Sequence, residues 1–333
     1  MRKETISVAV YSAHGNPADV LRIETQPWPR PGPDEVVVAM QAAPINPADL
    51  NAIEGKYPGK REVPAIPGFE GSGIISEVGK NISNVSVGSL VILPHNLGTW
   101  REACAVKESD LVVVPPEIDP VQAAMLKINP LTAWQLLHGY VELKSGDWVI
   151  QNAANSAAGR AVIQIAHAIG YKTVNVVRRE ELIEDLRSEG GDVVLRDDEN
   201  LRSAVKDATG GAAIRLGLNA VGGESALRLM NCLAPSGTLV SFGAMSLQPL
   251  KIPTGLLIFK DLRFRGIWIN KWYDNATPAE RMAAFNPIFD MARRRLLLTR
   301  VEKSYPLSEA KAALEHAARA KRGGKIIFDL AAH

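Results

Sequence analysis

Residues 149–179 read VIQNAANSAAGRAVIQIAHAIGYKTVNVVRR, an apolar run, a turn of small residues, a helix-like stretch and a second apolar run closed by two arginines. Val162, Ile165, Ala166 and Ile169 recur at the i, i+3, i+4, i+7 spacing of one buried helix face. Strand, tight turn, helix and strand in that order form half of a dinucleotide-binding fold, with pyrophosphate resting on the helix N-terminus. Against G-x-G-x-x-G the chain offers Ala154, Ser156 and Gly159, so only the third glycine is kept. An NAD-preferring site places a carboxylate about 20 residues further on, to take the ribose 2′-hydroxyl. Arg178 and Arg179 stand there instead, and guanidinium forks that suit a phosphate predict NADPH.

Length and composition bound the rest. A chain of 333 residues exceeds what one core usually fills, which predicts two lobes. Basic and acidic residues number 38 and 36, and no basic stripe tracks a nucleic-acid backbone; the Arg293–Arg295 cluster reads as a solvated helix end. Two cysteines, Cys104 and Cys232, make no disulfide framework. No apolar run suggests a membrane span, and the N-terminus lacks a signal-peptide core. The expectation is a cytoplasmic protein without membrane or nucleic-acid partners; a mitochondrial protein after transit-peptide removal is the alternative.

Up to about residue 125 the chain is a series of short strands, at Val8–Tyr11, Glu35–Ala42, Gly73–Val78, Leu90–Leu93 and Leu111–Val114, punctuated by proline and glycine. This predicts a compact antiparallel β lobe. Beyond Pro120 helical and strand periods alternate, and six strands are expected, at Trp148–Gln151, Thr173–Val177, Asp192–Leu195, Leu216–Ala220, Thr238–Phe242 and Phe264–Ile269. Helices at Pro278–Arg295 and Leu307–Ala318 and a strand at Lys325–Asp329 are expected to return to the first lobe. The division is therefore 1–125 with 275–333, and 126–274 as the cofactor domain, with the cleft expected between them.

INPADLNAIEGKYP (45–58), PAIPGFEGSGIISEVG (64–79), NPLTAW (129–134), GDWVIQNAANS (146–156), NVVRR (175–179), NAVGG (219–223) and LIFKDLRFRGIWINKW (257–272) together resemble the medium-chain dehydrogenase/reductase superfamily. Within it the chain looks most like the mitochondrial-type trans-2-enoyl-thioester reductases. The resemblance implies an α/β fold, with a GroES-like β-rich catalytic domain and a doubly wound six-stranded Rossmann domain. Zinc-dependent members carry cysteine at the position of Asn46 and Gly-His-Glu where this chain has Gly68, Phe69 and Glu70. Catalytic zinc needs about three N or S ligands. Neither position supplies one, and His14, His95, His138, His167, His316 and His333 form no ligand pair with a cysteine, so no metal is expected.

The resemblance makes Tyr57, in Gly55-Lys56-Tyr57, the proton donor. A phenol with pKa about 10 stays protonated at neutral pH and can stabilise and then protonate a developing enolate. Cofactor contacts implied by the resemblance are Asn129, Asn155, Ser156, Ala157, Ala158, Gly159, Phe242, Gly243, Ala244, Met245, Ile267, Trp268, Ile269 and Lys325, beside Arg178 and Arg179. Ala157 and Ala244 stand where relatives have glycine. Asn46, Phe69 and Trp268 are expected on the substrate side. Trp272 is expected at a subunit interface, since an apolar edge strand invites pairing with a second copy. The expected activity is NADPH-dependent reduction of the C2–C3 double bond of 2-enoyl-CoA or 2-enoyl-carrier-protein thioesters by a homodimer. The alternatives are a zinc-free quinone or enone oxidoreductase, and a non-enzymatic NADPH-binding sensor.

Overall fold

In the computed structural model, which describes residues 4–59 and 61–331, contacts separate unit 1, Met1–Ile128 with Thr299–His333, from unit 2, Asn129–Leu298. Unit 1 opens with a hairpin, β1 (Thr5–Tyr11) and β2 (Leu21–Pro27), bridged by helix α1 (Pro17–Val20). β3 (Glu35–Pro44), α2 (Pro47–Ile53), β4 (Ser72–Val78), β5 (Leu90–Ile92), β6 (Ala103–Lys107), β7 (Val112–Val113) and α3 (Pro120–Ala123) follow. β3 is an almost continuous apolar run because it is central: β4 and β6 both pair with it antiparallel, which leaves little room for polar side chains.

Unit 2 contains α4 (Asn129–His138), β8 (Trp148–Gln151), α5 (Ala157–Ile169), β9 (Lys172–Val177), α6 (Ile183–Ser188), β10 (Val193–Arg196), α7 (Leu201–Thr209), β11 (Leu216–Asn219), α8 (Gly223–Cys232), β12 (Thr238–Ser241), α9 (Thr254–Ile258), β13 (Arg263–Gly266), α10 (Ile269–Asn275) and α11 (Pro278–Arg293). Its six strands are parallel in the order β10-β9-β8-β11-β12-β13, the doubly wound arrangement the sequence predicts. Strand order reverses between β8 and β11, where ligands bind in such sheets. The chain then re-enters unit 1 as β14 (Val301–Pro306), α12 (Ala310–Ala318) and β15 (Lys325–Asp329). Phe328 of β15 meets Trp100 edge-on at 5.1 Å in the unit 1 core.

Several expectations shift. The strands up to residue 125 pair antiparallel as expected, but the returning tail adds a parallel pair, β14 with β15, and β2, β6 and β14 were not anticipated. The unit boundary after the cofactor domain falls at 298/299 rather than 274/275, because α11 packs on α4. On each side of this boundary the chain is tied within its own unit: Gln164 of α5 exchanges hydrogen bonds with the Leu298 backbone at 2.9 and 3.2 Å, and Gln122 of α3 does the same with Thr299 at 2.9 and 3.0 Å. The last strand of unit 2 stops at Gly266, so Trp272 belongs to helix α10, where it and Trp134 line a shallow cavity of about 400 Å³.

Candidate active site

Tyr57 owes its placement to the end of α2. Gly55 adopts φ +73° just past the helix, its N–H donating to the Ala52 carbonyl at 3.1 Å and that of Lys56 to Asn51 at 2.8 Å. This Schellman turn needs the left-handed conformation that glycine supplies without strain. The Tyr57 N–H also donates to Asn51, at 3.1 Å, so the helix end aims the tyrosine directly. Its half-buried ring lies 5.2 Å from that of Phe69, and the Arg61 guanidinium sits 4.9 Å from the Phe69 centroid. Gly68 turns the chain into Phe69 with φ +102°, and a Cβ there would lie 2.3 Å from Thr99 Oγ1 and 2.9 Å from the Thr99 nitrogen.

Behind this pair is a buried polar cluster. Asn46 Nδ2 donates to Glu70 Oε1 at 2.8 Å, and Lys325 Nζ donates to Asn46 Oδ1. Glu70 Oε2 accepts the Ile128 N–H at 2.9 Å. Asp49 accepts two backbone N–H groups, from Asn46 at 2.7 Å and Phe69 at 2.9 Å. Lys127 donates to the carbonyls of Leu93, at 2.9 Å, and Phe69, at 3.3 Å. All five side chains are buried. Burial pushes the Asp49 carboxyl up to about 7 and raises Glu70, with the nearby Lys325 ammonium opposing the rise in both. Burial lowers Lys325, against the pull of Glu70 and Asp49. Two carboxyl and two amino side chains are thus buried together with each one hydrogen-bonded, the condition under which buried ionisable groups are tolerated.

In unit 2 the cofactor candidates cluster on the C-terminal edge of the parallel sheet. Ser156 caps α5, its hydroxyl accepting the Gly159 N–H at 3.1 Å, and the Ala157 and Ala158 N–H groups lie in the first turn, where no helical carbonyl serves them. A Cβ on Gly159 would come within 2.6 to 2.8 Å of the Ala153 and Ala154 backbone, so this glycine is what lets α5 pack on the turn. The positive φ of the turn, +47°, falls on Ala153. Asn155 lies in the turn, and its carbonyl accepts from Arg160 Nε at 3.3 Å. β9 runs beside β8 with Asn175 opposite Gln151, so Arg178 and Arg179 leave the sheet on the same edge. Arg179 is paired with Glu181 at 3.1 Å, whereas Arg178 is exposed with no ion pair among the described residues.

Phe242 to Met245 leave β12 as an exposed loop tied to the segment after β11 by the Met245 N–H on Ala220 at 3.0 Å; Gly243 packs on Ala220, and Ala244 faces solvent. Ile267, Trp268 and Ile269 follow β13, with Ile267 N–H on Ser241 at 3.1 Å and Trp268 exposed. Asn129 is the half-buried first residue of α4, which packs on α5. Lys325 lies buried in unit 1 with its ammonium on Asn46. His333 lies outside the described residues.

Reasoning from sequence missed two sets of residues. Asp49, Glu70 and Lys127 form the cluster beneath Phe69. At the β8/β11 switch point, Asn152 Nδ2 donates to Asn219 Oδ1 at 2.9 Å and Ser225 Oγ at 3.0 Å, while Asn152 Oδ1 accepts the Ala220 N–H at 2.7 Å. The only available signal was an uncharged polar residue at the end of each apolar strand, Gln151-Asn152 and Asn219.

Residues 32–116 match the alcohol dehydrogenase GroES-like domain family, and residues 157–284 match the zinc-binding dehydrogenase family. Among the described residues no group of three or more histidine, cysteine, aspartate or glutamate side chains is placed to hold a metal ion. The chain is 38% identical over 330 residues to the mitochondrial enoyl-[acyl-carrier-protein] reductase of Dictyostelium discoideum, covering 96% of this chain and 93% of that protein. A solved Etr1p/NADP/crotonyl-CoA complex is similar at TM-score 0.90 and 28% identity, over 98% of this chain and 99% of that one. The mitochondrial 2-enoyl thioester reductase Etr1p/Etr2p heterodimer from Candida tropicalis is similar at TM-score 0.89 and 28% identity, with the same coverage.

Proposed function

Since the chain belongs to the medium-chain dehydrogenase/reductase superfamily, in the family of the mitochondrial enoyl-[acyl-carrier-protein] reductases, we propose that it is the NADPH-dependent reductase of 2-enoyl thioesters. The observation that carries the assignment is this 38% identity over nearly the whole chain, supported by likeness to a complex holding NADP and crotonyl-CoA. The unit 2 edge fits the cofactor: a capped 13-residue helix offers first-turn N–H groups, Gly159 has no Cβ, and Arg178 keeps a guanidinium available. NADPH, when bound, supplies the hydride that reaches C3 of the enoyl group.

The protein's own task is the other half of the addition. Tyr57 Oη hydrogen-bonds the charge that builds on the thioester enolate and passes its proton to C2. Asn46, Phe69 and Trp268 are assigned to the substrate side, and Asn129, residues 155–159, Arg178, Arg179, 242–245 and 267–269 to the cofactor. Lys325 is reassigned to holding Asn46, as its buried ammonium favours. The substrate is a CoA or carrier-protein thioester. The heterodimer among the solved relatives supports a dimer, which we take to be of two identical chains. Relatives named mitochondrial support the mitochondrial alternative over the cytoplasmic one.

The test is NADPH oxidation with a medium-chain trans-2-enoyl-CoA, beside NADH and a quinone, for the native protein and Tyr57→Phe. Thioester reduction with NADPH, lowered about 10²-fold or more in the variant, is expected. Equal rates in both proteins would remove Tyr57 as the donor, and activity confined to the quinone would overturn the substrate assignment.

A further inference from the structure

We propose that Asp49 is the positioning residue of the proton donor, fixing Tyr57 by joining the start of α2 to the backbone of Phe69. The inference rests on the reading of Tyr57 as proton donor. Asp49 occupies the third position of α2, and one carboxylate oxygen takes the Asn46 N–H at 2.7 Å, fixing where the helix begins. The other oxygen takes the Phe69 N–H at 2.9 Å, twenty residues away in sequence. Both bonds serve Tyr57 from opposite directions. The helix whose start Asp49 sets delivers Tyr57 through the Gly55 turn, and the residue it holds at the far end presents the ring that lies 5.2 Å from the Tyr57 ring.

Lys127 completes the support by taking the Phe69 carbonyl at 3.3 Å, so Phe69 is held through both its N–H and its C=O. Asp49 has no solvent exposure and therefore acts on the reaction only through the groups it holds. An amide in its place keeps one acceptor and turns an N–H₂ group toward the second backbone N–H, so Asp49→Asn breaks the link at nearly constant volume. A misplacement of about 1 Å in a catalytic group is enough to cost up to about 10²-fold in rate.

The experiment is a double-mutant cycle on enoyl-CoA reduction with Asp49→Asn and Tyr57→Phe, following kcat, KM and the solvent deuterium isotope effect. In the native background Asp49→Asn should lower kcat about 10-fold, change KM by less than about twofold and raise the isotope effect, because proton transfer becomes slower. In the Tyr57→Phe background the same substitution should change kcat by less than about twofold. Equal losses in both backgrounds, or an unchanged kcat in the first, would overturn the proposal. Should Asp49→Asn fail to fold, Phe69→Leu leaves the buried carboxylate and both N–H bonds and removes only the ring; its effect should likewise vanish beside Tyr57→Phe, and an additive loss would count against the proposal. A Tyr57→Phe protein with native kcat would remove the donor assignment itself, an outcome separate from additivity, and the proposal with it.

Discussion

Asp49, Glu70, Lys127 and Lys325 are four ionisable side chains taken out of water together, and the pH dependence of stability should report it. The native Asp49 carboxyl lies at about 7 against an ordinary 3.8, raised chiefly by burial and further by Glu70, with two backbone N–H bonds and Lys325 opposing. A carboxyl raised on folding keeps its proton in the native state where the unfolded chain has lost it. Its contribution to stability is therefore greatest below about 4, declines as the pH rises and is gone above about 7. Asparagine does not titrate, so the difference in Tm between native protein and Asp49→Asn should drift against the native protein from pH 5 to pH 8, as differential scanning calorimetry would record. A constant difference would mean that Asp49 titrates as an ordinary carboxyl. Little of this was legible in the chain. In NPAD, Asp49 reads as an acid in the first helical turn, favourable there on any surface helix, and its burial follows from where Phe69 and Lys325 arrive from distant segments.

At the scale of elements, the phosphate-facing turn was legible because its cues are local. The strand, Ser156 at the cap, the α5 periodicity and Gly170 at the C-cap with φ +83° lie within one stretch of sequence. The degenerate glycine pattern also has a local explanation. Ala153 takes the left-handed φ, Ser156 works as a cap, and only Gly159 occupies a place where a methyl meets backbone. Gly159→Ala gains some helix propensity, but its Cβ must move α5 away from Ala154, and overpacking of this kind costs about 1 to 3 kcal/mol. The variant should melt earlier than the native protein and bind NADPH at least about tenfold more weakly in a fluorescence titration, since the first-turn N–H groups move with the helix. Native affinity in a folded variant would detach the cofactor from this turn. Of the elements that were not legible, β6 and β14 depend on partners outside their own stretch of sequence, β6 on β3 and β14 on β15 across α12, and the VEKSYP of β14 carries no strand alternation; β2 is a hairpin neighbour of β1 but is exposed along most of its length, so it shows no apolar alternation either. The end of β13 was overrun because GIWI is as apolar as a strand, and nothing local marks that a helix begins at Ile269.

For the whole molecule, the open question is assembly, and the unit 2 surface contains the argument. The edge strand β13 was expected to be apolar, yet it reads Arg263-Phe264-Arg265-Gly266 with both arginines exposed, a charged edge of the kind that resists indiscriminate pairing. The apolar surface lies in the segment leading to it: Ile258 is 66% exposed and Phe259 84%, with Leu257, Leu247 and Met245 also exposed. Large side chains left in water together mark an interaction surface on a monomeric unit. We predict a dimer with twice the 36.0 kDa mass of the chain in sedimentation equilibrium, converted to monomer by Ile258→Asp with Phe259→Asp. Pairing through two β13 strands would bring the arginines of both copies together, so added salt should screen their repulsion and tighten the dimer, with a Debye length of about 10 Å at 0.1 M and about 3 Å at 1 M. Dissociation by salt would instead require opposite charges across the interface and would exclude β13 pairing, and a native protein that sediments as a monomer would leave the exposed α9 segment with another occupant.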